Sequence, residues 1–256
     1  MSAERWRKML ALEAVSKVYP GGGVALRELS LVVTAGRIVT LLGHNGAGKS
    51  TTLKIAAGII APTSGSVTIS GRDLQNAKAD VEADQRRQVG FLPEEAHLLE
   101  SMTPSEFLWY VGQLYGIEDE GELASRIRSW TERLAVEGAE DCPLRELSAG
   151  QRRRVSIIAA LLNGPKLLLL DEPTNFLDPI GVKILKDVLV SLRNEGCASL
   201  LATHRLDVAE QLSDVVVVLD HGVAIFQGSL MELHTRAPSA SPGAPLEVLY
   251  AGLVGN

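Results

Sequence analysis

The sequence predicts an α/β fold with a parallel-sheet core, an N-terminal antiparallel β subdomain and an inserted α-helical subdomain. Three observations lead to this prediction: closely spaced short strands near the N-terminus, alternating strand and helix patterns from residue 49 onward, and a strand-free stretch at 95–163. The chain has 256 residues, of which 46% are hydrophobic. This is enough to bury the core of one large α/β domain or two small ones.

The N-terminal part reads as short strands. Hydrophobic alternation predicts strands at 10–15, 24–33 and 37–42, separated by turn residues at 20–23 and 35–36. Because little chain separates them, we expect these strands to form the antiparallel portion.

The later strands have a different pattern. Apolar runs at 167–170, 198–202 and 215–219 are nearly continuous, which is typical of strands buried on both faces. Helical patterns separate these runs, as expected for a parallel core.

The stretch 95–163 reads as helices, and one of them begins at a capping box formed by Thr103 and Glu106, with Pro104 at the first helical position. We therefore expect a helical subdomain at about 95–163, inside a domain that spans residues 1–235.

The last 21 residues, 236–256, are predicted to lie outside this domain. Residues 237–245 are rich in Ala, Pro and Ser, which is typical of a linker, and 246–253 is a short apolar segment.

Composition and charge exclude several classes of function. The chain carries 25 Lys and Arg against 31 Asp and Glu, a net charge of −6, which opposes a nucleic-acid partner. The longest apolar runs, 167–170 and 215–219, are far shorter than the roughly 18–20 residues of a membrane span. The N-terminal apolar stretch is also too short for a signal peptide, so we expect the chain in the cytosol. Cys142 and Cys197 are expected to be reduced thiols.

Residues 43–50 match the pattern G-x-x-x-x-G-K-[ST] between an apolar strand and a helical stretch, which predicts the phosphate-binding loop of a P-loop NTPase. Glycines let the backbone curl with its N–H groups inward, and the helix N-terminus adds partial positive charge. Lys49 is expected to contact the β- and γ-phosphates, and Ser50 to bind Mg²⁺. The nucleotide-binding residues predicted here are Gly43, His44, Asn45, Gly46, Ala47, Gly48, Lys49, Ser50 and Thr51.

Two consecutive acids follow the apolar run 167–170. A solvated strand end would explain one carboxylate but not two. We expect Asp171 to bind the Mg²⁺ ion and Glu172 to act on the attacking water as general base or orienting group.

The order of these motifs identifies a family. The sequence Leu-Ser-Ala-Gly-Gln at 147–151 lies between the two phosphate-site motifs, and His204 follows a later strand. From about residue 10 to residue 235 the chain resembles an ATP-binding-cassette (ABC) ATPase. The resemblance implies that Ser148, Gly150 and Gln151 form the signature that closes over ATP held by a second subunit. The second residue after the leucine is more often glycine in this family, so Ala149 is a small departure, and Ser148 with Gln151 also reads as a capping box.

The resemblance assigns further roles. It implies that Tyr19 stacks on adenine, although by pattern alone Tyr19 is a strand aromatic. It implies that His204 contacts the γ-phosphate as a catalytic residue beside Glu172 and Lys49. Asp178 resembles the D-loop acid at the dimer interface and reads equally well as a helix N-cap before Pro179.

Glu94 occupies a position where many family members carry glutamine. A carboxylate can still bind Mg²⁺ or water, so the resemblance implies that Glu94 senses nucleotide and contributes to the metal site.

Two surface patterns have alternative interpretations. The basic run 152–154 is expected to be mostly a solvated or partner-facing helix surface. Phe107, Val111 and Leu114 recur at helical spacing and either pack the helical subdomain or dock a membrane partner.

The function implied is that of an ATPase subunit of a transporter, closest to ABC-2-type exporters, with ATP and Mg²⁺ as cofactors. Such a subunit forms a head-to-tail dimer, as a homodimer or heterodimer, and works with separate transmembrane permease subunits on the cytoplasmic face of the membrane. One alternative is a soluble ABC ATPase that acts as a nucleotide-gated clamp on a ribosome, DNA or an assembly machine. A P-loop kinase is a third interpretation, but it leaves the signature unexplained.

Overall fold

A computed structural model of the chain describes residues 7–74, 87–95, 98–136, 142–236 and 246–254. The strands in these ranges are β1 (Lys8–Val18), β2 (Val24–Thr34), β3 (Ile38–Leu42), β4 (Ser64–Ile69), β5 (Arg72–Asp73), β6 (Val89–Leu92), β7 (Leu167–Asp171), β8 (Ala198–Thr203), β9 (Val215–Asp220) and β10 (Val223–Gly228). The α-helices are α1 (Lys49–Ala56), α2 (Pro104–Leu114), α3 (Glu120–Arg133), α4 (Ala149–Leu161), α5 (Pro179–Asn194), α6 (Leu206–Leu212), α7 (Leu230–Arg236) and α8 (Leu246–Val254).

The strands form two sheets. An antiparallel sheet has the order β2-β1-β4-β5, and a larger sheet has the order β10-β9-β3-β8-β7-β6. In the larger sheet the strands from β9 to β6 are parallel, and β10 pairs antiparallel with β9. The predicted fold class, a parallel core with an antiparallel β portion and inserted helices, is therefore confirmed.

The antiparallel portion differs in membership from the prediction. The strand predicted at 37–42 begins at Ile38 and lies between β8 and β9 in the parallel sheet, so the expectation that it belongs to the antiparallel portion was wrong. All five of its residues are buried, which requires cover on both faces. Its place in the antiparallel sheet is taken by β4 and β5, in which only Val67 and Ile69 are buried, so these strands carry little hydrophobic signal.

Two-sided burial of the parallel strands explains their sequences. In β7, Leu168 and Leu170 pack on the helical side, whereas Leu167 and Leu169 face the core shared with the antiparallel sheet. Because successive side chains point to opposite faces, both faces of the strand are apolar. The strand then ends in Asp171 at the edge where the loops meet.

The helical region begins as predicted. Thr103 Oγ1 accepts a hydrogen bond from the Glu106 backbone N–H at 3.2 Å, and the Glu106 carboxylate accepts one from the Thr103 N–H at 2.9 Å. No strand occurs among the described residues of the stretch 95–163. In the stripe on α2, Phe107 is buried in the core, but Leu114 is 68% exposed, so core packing explains only part of it.

The end of the chain folds back on the large sheet. The linker predicted at 237–245 lies outside the described residues. The apolar segment forms α8, in which Leu246 and Leu249 pack against Val218 and Phe226. The domain boundaries stay a prediction. Within the described residues, no helix has both the length and the apolarity to cross a membrane, and both cysteines are free.

Candidate active site

The loop between β3 and α1 has a shape that requires glycine at two positions. A Cβ atom at Gly43 would lie 2.5 Å from the Leu219 carbonyl oxygen. Gly48 has φ +107°, and a Cβ there would lie 2.6 Å from the Ala25 carbonyl oxygen. The loop therefore packs directly on the strands beneath it, and α1 begins immediately after Gly48.

This loop and the end of β7 enclose a cavity of about 310 Å³. Most of its lining consists of polar side chains and backbone, which suits a phosphorylated ligand. The lining residues are Ala25, Asn45, Gly46, Gly48, Lys49, Ser50, Thr51, Glu94, Asp171 and Glu172. The sequence predicted a site role for all of these residues except Ala25.

Lys49 lies at the centre of the cavity and is 7% exposed. Its Nζ donates to the carbonyl oxygens of Gly43 at 2.7 Å and His44 at 3.2 Å, and lies 3.9 Å from Glu172 Oε1. Burial lowers the pKa of the Lys49 ammonium, and the Glu172 carboxylate opposes that change. The ammonium is thus held against its own loop, within reach of the carboxylates at the end of β7.

Asp171 and Ser50 form an oxygen-rich pair. Asp171 is 1% exposed, its Oδ1 has no hydrogen-bond partner among the described residues, and Ser50 hydrogen-bonds to its side chain. Burial raises the pKa of the Asp171 carboxyl, and the bond from Ser50 opposes that change. A buried carboxylate oxygen beside a hydroxyl fits a hard divalent cation such as Mg²⁺, which prefers oxygen ligands.

Glu172 is held by two neighbours from the end of β8. Thr203 Oγ1 donates to its Oε2 at 3.0 Å, and His204 Nδ1 lies 2.9 Å from its Oε1. Glu172 itself is 3% exposed and has a positive φ of 45°. The structure thus brings the predicted pair Glu172 and His204 into contact. No sequence pattern pointed to Thr203, because its partner Glu172 lies 31 residues away.

The two remaining predicted residues of this region also lie at the cavity. Glu94 is exposed and lines the cavity, and the charge of Glu94 adds to the effect of burial in raising the pKa of Asp171. The Tyr19 hydroxyl lies 3.4 Å from Thr51 Oγ1, and the ring is 40% exposed beside the loop. The side chain of His44, in contrast, points away from the cavity, with its Nε2 3.1 Å from Asp220 Oδ1.

The residues predicted as the signature lie elsewhere. Ser148 caps α4 through a reciprocal pair of hydrogen bonds with Gln151, at 3.2 and 3.0 Å, which confirms the capping-box interpretation. Within the described part of the chain, the cavity lining does not include Ser148, Gly150 or Gln151. A Cβ at Gly150 would lie 2.9 Å from the Phe176 carbonyl oxygen, so this segment packs against the one before α5.

Asp178 is the N-cap of α5, as one of its two interpretations predicted. Its carboxylate accepts from the Gly181 N–H at 2.8 Å and from the Arg154 guanidinium at 2.8 Å. The bond from Gly181, followed by that from Arg154, lowers the pKa of the Asp178 carboxyl. The interface interpretation stays a prediction.

The basic run 152–154 is not mostly solvated, contrary to the prediction. Arg153 is 3% exposed and donates to the carbonyl oxygens of Asp171 and Glu172, both at 2.7 Å. It also donates to those of Pro93 at 2.7 Å and Glu94 at 3.0 Å. Burial lowers the pKa of the guanidinium to about 10, and the Asp171 charge opposes the change, so the group stays charged at neutral pH.

Arg153 therefore joins α4 to the ends of β6 and β7. Sequence reasoning missed this role because the four carbonyls belong to backbone that is 18–60 residues distant. Its neighbour Arg154 is also largely buried, with 15% of its side chain exposed.

A family model described as ABC transporter matches residues 26–175. The chain belongs to the ABC transporter family. It is an ATP-binding cassette protein and an ATPase, as the sequence predicted.

Several ABC transporter proteins are similar to this chain over most of its length. YhaQ of Bacillus subtilis, an uncharacterized ABC transporter ATP-binding protein, is 34% identical over 88% of this chain and 72% of its own. The methionine import ATP-binding protein MetN of Geobacillus kaustophilus is 34% identical over 88% and 67%. The lantibiotic transport ATP-binding protein SrtF of Streptococcus pyogenes is 31% identical over 86% and 90%.

Solved structures of ABC cassettes have the same fold. An ATP-binding subunit of an ABC transporter is 32% identical, with a TM-score of 0.86 over 96% of this chain and 99% of the other. A dimeric ATP-binding cassette in a post-hydrolysis state, bound to ADP and phosphate, is 27% identical, with a TM-score of 0.77 over 87% and 99%. This ABC protein therefore has the architecture of cassettes that bind ATP and dimerise.

Proposed function

We propose that this chain is the Mg·ATP-hydrolysing subunit of an ABC-2-type exporter, working as a head-to-tail dimer that drives separate transmembrane permease subunits. The observation that carries the hydrolytic part is the contact of Glu172 with His204 and Thr203 at the edge of the phosphate cavity. Membrane attachment, on the cytoplasmic face, comes through the permease partners.

In this proposal the loop of residues 43–51 holds the phosphates through its backbone N–H groups and the N-terminus of α1. Lys49 exchanges the carbonyls of Gly43 and His44 for the β- and γ-phosphate oxygens. Tyr19, exposed beside Thr51, stacks on the adenine ring.

Ser50 and Asp171 hold Mg²⁺, and Glu94, which lines the same cavity, contributes a further carboxylate. The unpartnered Oδ1 of Asp171 is the support for this assignment. Bound Mg²⁺ neutralises phosphate charge that develops during hydrolysis.

Glu172 orients the attacking water and accepts its proton. Thr203 occupies one carboxylate oxygen and His204 Nδ1–H the other, which fixes the carboxylate plane. With Nδ1 bonded to Glu172, Nε2 is the ring nitrogen of His204 left to face the γ-phosphate.

The position of the signature residues supports the proposal of a dimer. Ser148, Gly150 and Gln151 begin a helix whose N-terminus is an anion site, yet they are not part of the lining of this chain's own cavity. A second cassette in head-to-tail orientation supplies each cavity with this helix N-terminus, and Asp178 lies at the contact between the two.

Export is favoured by sequence features outside the catalytic site. The segments at 174–181 and 227–230 resemble ABC-2-type exporter ATPases, and the relative SrtF is named for lantibiotic transport. The relative MetN is named for import, so the direction of transport needs its own test.

The experiment uses Glu172→Gln, which keeps the size of the side chain and removes the base. We expect ATP hydrolysis to fall at least about 100-fold while ATP binding persists. Ser105→Ala, an exposed change on α2, is the matched control. Undiminished hydrolysis in Glu172→Gln would overturn the assignment of the base.

The same variant identifies the partner. Tagged Glu172→Gln chain, extracted from membranes in Mg·ATP, is expected to copurify with a multispan membrane protein. Export then requires that vesicles containing the complex with its ATP sites outward accumulate the substrate of that partner. Recovery with ribosomal or DNA-bound proteins would refute the transporter role, leaving the ATPase site intact.

A further inference from the structure

A second cluster of ligand-type side chains lies beside the phosphate loop. His44 comes from that loop, Asp220 from the end of β9, and His221 from the turn between β9 and β10. One ligand atom from each residue, an imidazole nitrogen or a carboxylate oxygen, lies within 4.8 Å of the other two. The distance from His44 Nε2 to Asp220 Oδ1 is 3.1 Å, and that from His221 Nε2 to the same oxygen is 3.9 Å.

The hydrogen bond of the other His44 nitrogen determines what Nε2 can do. Nδ1 lies 2.7 Å from the Asn45 carbonyl oxygen. A carbonyl oxygen only accepts, so Nδ1 carries a proton. In the neutral ring Nε2 then presents a lone pair to Asp220 Oδ1, and two acceptors face each other at 3.1 Å. A proton or a metal ion between them removes this conflict, and metal-binding histidines characteristically donate their other N–H to a backbone carbonyl.

A tight turn and backbone hydrogen bonds hold the segments that carry these three residues. His221 and Gly222 have φ values of 44° and 82°, as in a two-residue hairpin turn of type I′. The Gly222 N–H donates to the Ala47 carbonyl at 3.0 Å, and the Gly222 carbonyl accepts from the Arg27 N–H at 2.9 Å. The hairpin turn is thus tied directly to the phosphate loop that carries His44.

The dimensions suit a tetrahedral ion. Zn²⁺ with bonds of about 2.0–2.1 Å separates its ligand atoms by about 3.3 Å. His44 and Asp220 are already at this separation. The His221 side chain is 83% exposed, so its ring is free to rotate toward the other two ligands, which requires a movement of no more than about 1.5 Å.

We propose that His44, Asp220 and His221 bind a divalent transition-metal ion of the Zn²⁺ type, with water at the fourth position. The mixed imidazole and carboxylate set suits Zn²⁺, Co²⁺ or Ni²⁺ and disfavours Mg²⁺. The ion joins the β9–β10 turn to the phosphate loop through side chains, in addition to the backbone bond between Gly222 and Ala47. The site is separate from the Mg²⁺ position at Asp171 and does not depend on hydrolysis.

The test uses the purified full chain, stripped of metal and free of nucleotide, with Zn²⁺ alone as the probe. Calorimetric titration of the wild type is expected to show one more equivalent of Zn²⁺ than titration of His221→Asn or Asp220→Asn. Asparagine tolerates the left-handed turn conformation at position 221. His234→Asn, which removes a histidine elsewhere in the sequence, is the matched control and should keep the equivalent.

Thermal unfolding and Co²⁺ absorption distinguish the loss of a metal site from misfolding of the variant. In chelator, His221→Asn should unfold at the wild-type temperature. Zn²⁺ at about 100 times its Kd should raise the Tm of the wild type by about 5–10 °C, and that of His221→Asn by clearly less. Co²⁺ should give the visible absorption of a four-coordinate site in the wild type only. Equal Zn²⁺ stoichiometry and affinity in wild type and His221→Asn would overturn the proposal.

Discussion

Arg153→Met tests whether one buried guanidinium holds the active-site strands in position. The side chain donates four hydrogen bonds of 3.0 Å or shorter to the carbonyl oxygens of Pro93, Glu94, Asp171 and Glu172. Methionine has a similar length and fills much of the same space, so the substitution removes the donors while leaving only a small cavity.

The expected loss of stability follows from these contacts. A buried carbonyl that loses its donor costs roughly 1–3 kcal/mol. The net loss of stability is smaller than the sum of four such penalties, because the substitution also removes the cost of burying the charged guanidinium away from water. We expect a net destabilisation of about 4 kcal/mol, which for a chain of this size lowers the Tm by about 8–16 °C.

Thermal unfolding followed by circular dichroism measures this difference. Arg152→Met is the matched control, because Arg152 lies next to Arg153 on α4 and, within the described ranges, its side chain donates to one carbonyl, that of Leu147. It should lower the Tm by less than about 3 °C. Arg153→Lys keeps the charge but not the fork of donors, and should be intermediate. The reasoning is refuted if Arg153→Met and Arg152→Met unfold at the same temperature.

Three other substitutions test the site itself. Asp171→Asn should raise the Tm of the nucleotide-free protein by about 2–4 °C at pH 7, because burial penalises the charged carboxylate and raises its pKa above 3.8. A raised pKa costs stability as the pH rises through it, so the gain should shrink as the pH falls through the folded-state pKa and should vanish below about 3.8, where the carboxyl is protonated in both the folded and unfolded states. Thr203→Val removes one of the two hydrogen bonds to Glu172 and should lower kcat about tenfold in a steady-state ATPase assay, with KM changed less than about twofold. Gly150→Ala introduces a Cβ 2.9 Å from the Phe176 carbonyl and should lower ATP hydrolysis at least about tenfold, while ADP binding measured by calorimetry is unchanged.

Each of these expectations has a contrary result. A lower Tm for Asp171→Asn than for the wild type at pH 7 would mean that the charged carboxylate stabilises the empty site. A raised KM with unchanged kcat in Thr203→Val would mean that Thr203 acts in ATP binding. Loss of ADP binding in Gly150→Ala would mean that the substitution disturbs this chain's own cavity.

Much of the site could be predicted from the sequence because its parts are local. The phosphate loop is a run of eight residues that contains both Lys49 and the glycines that shape the backbone around it. The caps at Thr103, Ser148 and Asp178 each accept a hydrogen bond from the backbone N–H three residues later. In such cases the residues that must meet are neighbours in the chain, so their spacing is sufficient evidence.

Other parts of the site depend on strands that meet only in the folded chain. The contact of Thr203 with Glu172 follows from the parallel pairing of β7 with β8, in which Asp171 pairs with Ala202. His44 meets Asp220 because β3 lies beside β9. No local pattern contains this information, because register and strand order are set by the pairing of segments far apart in the sequence.

Sequence patterns alone predict the α/β class, the phosphate loop, the paired acids Asp171 and Glu172, and the family resemblance. Only the packing of the folded chain shows that β3 joins the parallel sheet and that Arg153 is a buried donor rather than a surface charge. The physical reason is that a side chain's environment depends on what packs over it. An arginine on the first turn of a helix is solvated unless distant backbone carbonyls converge on it, and here four of them do.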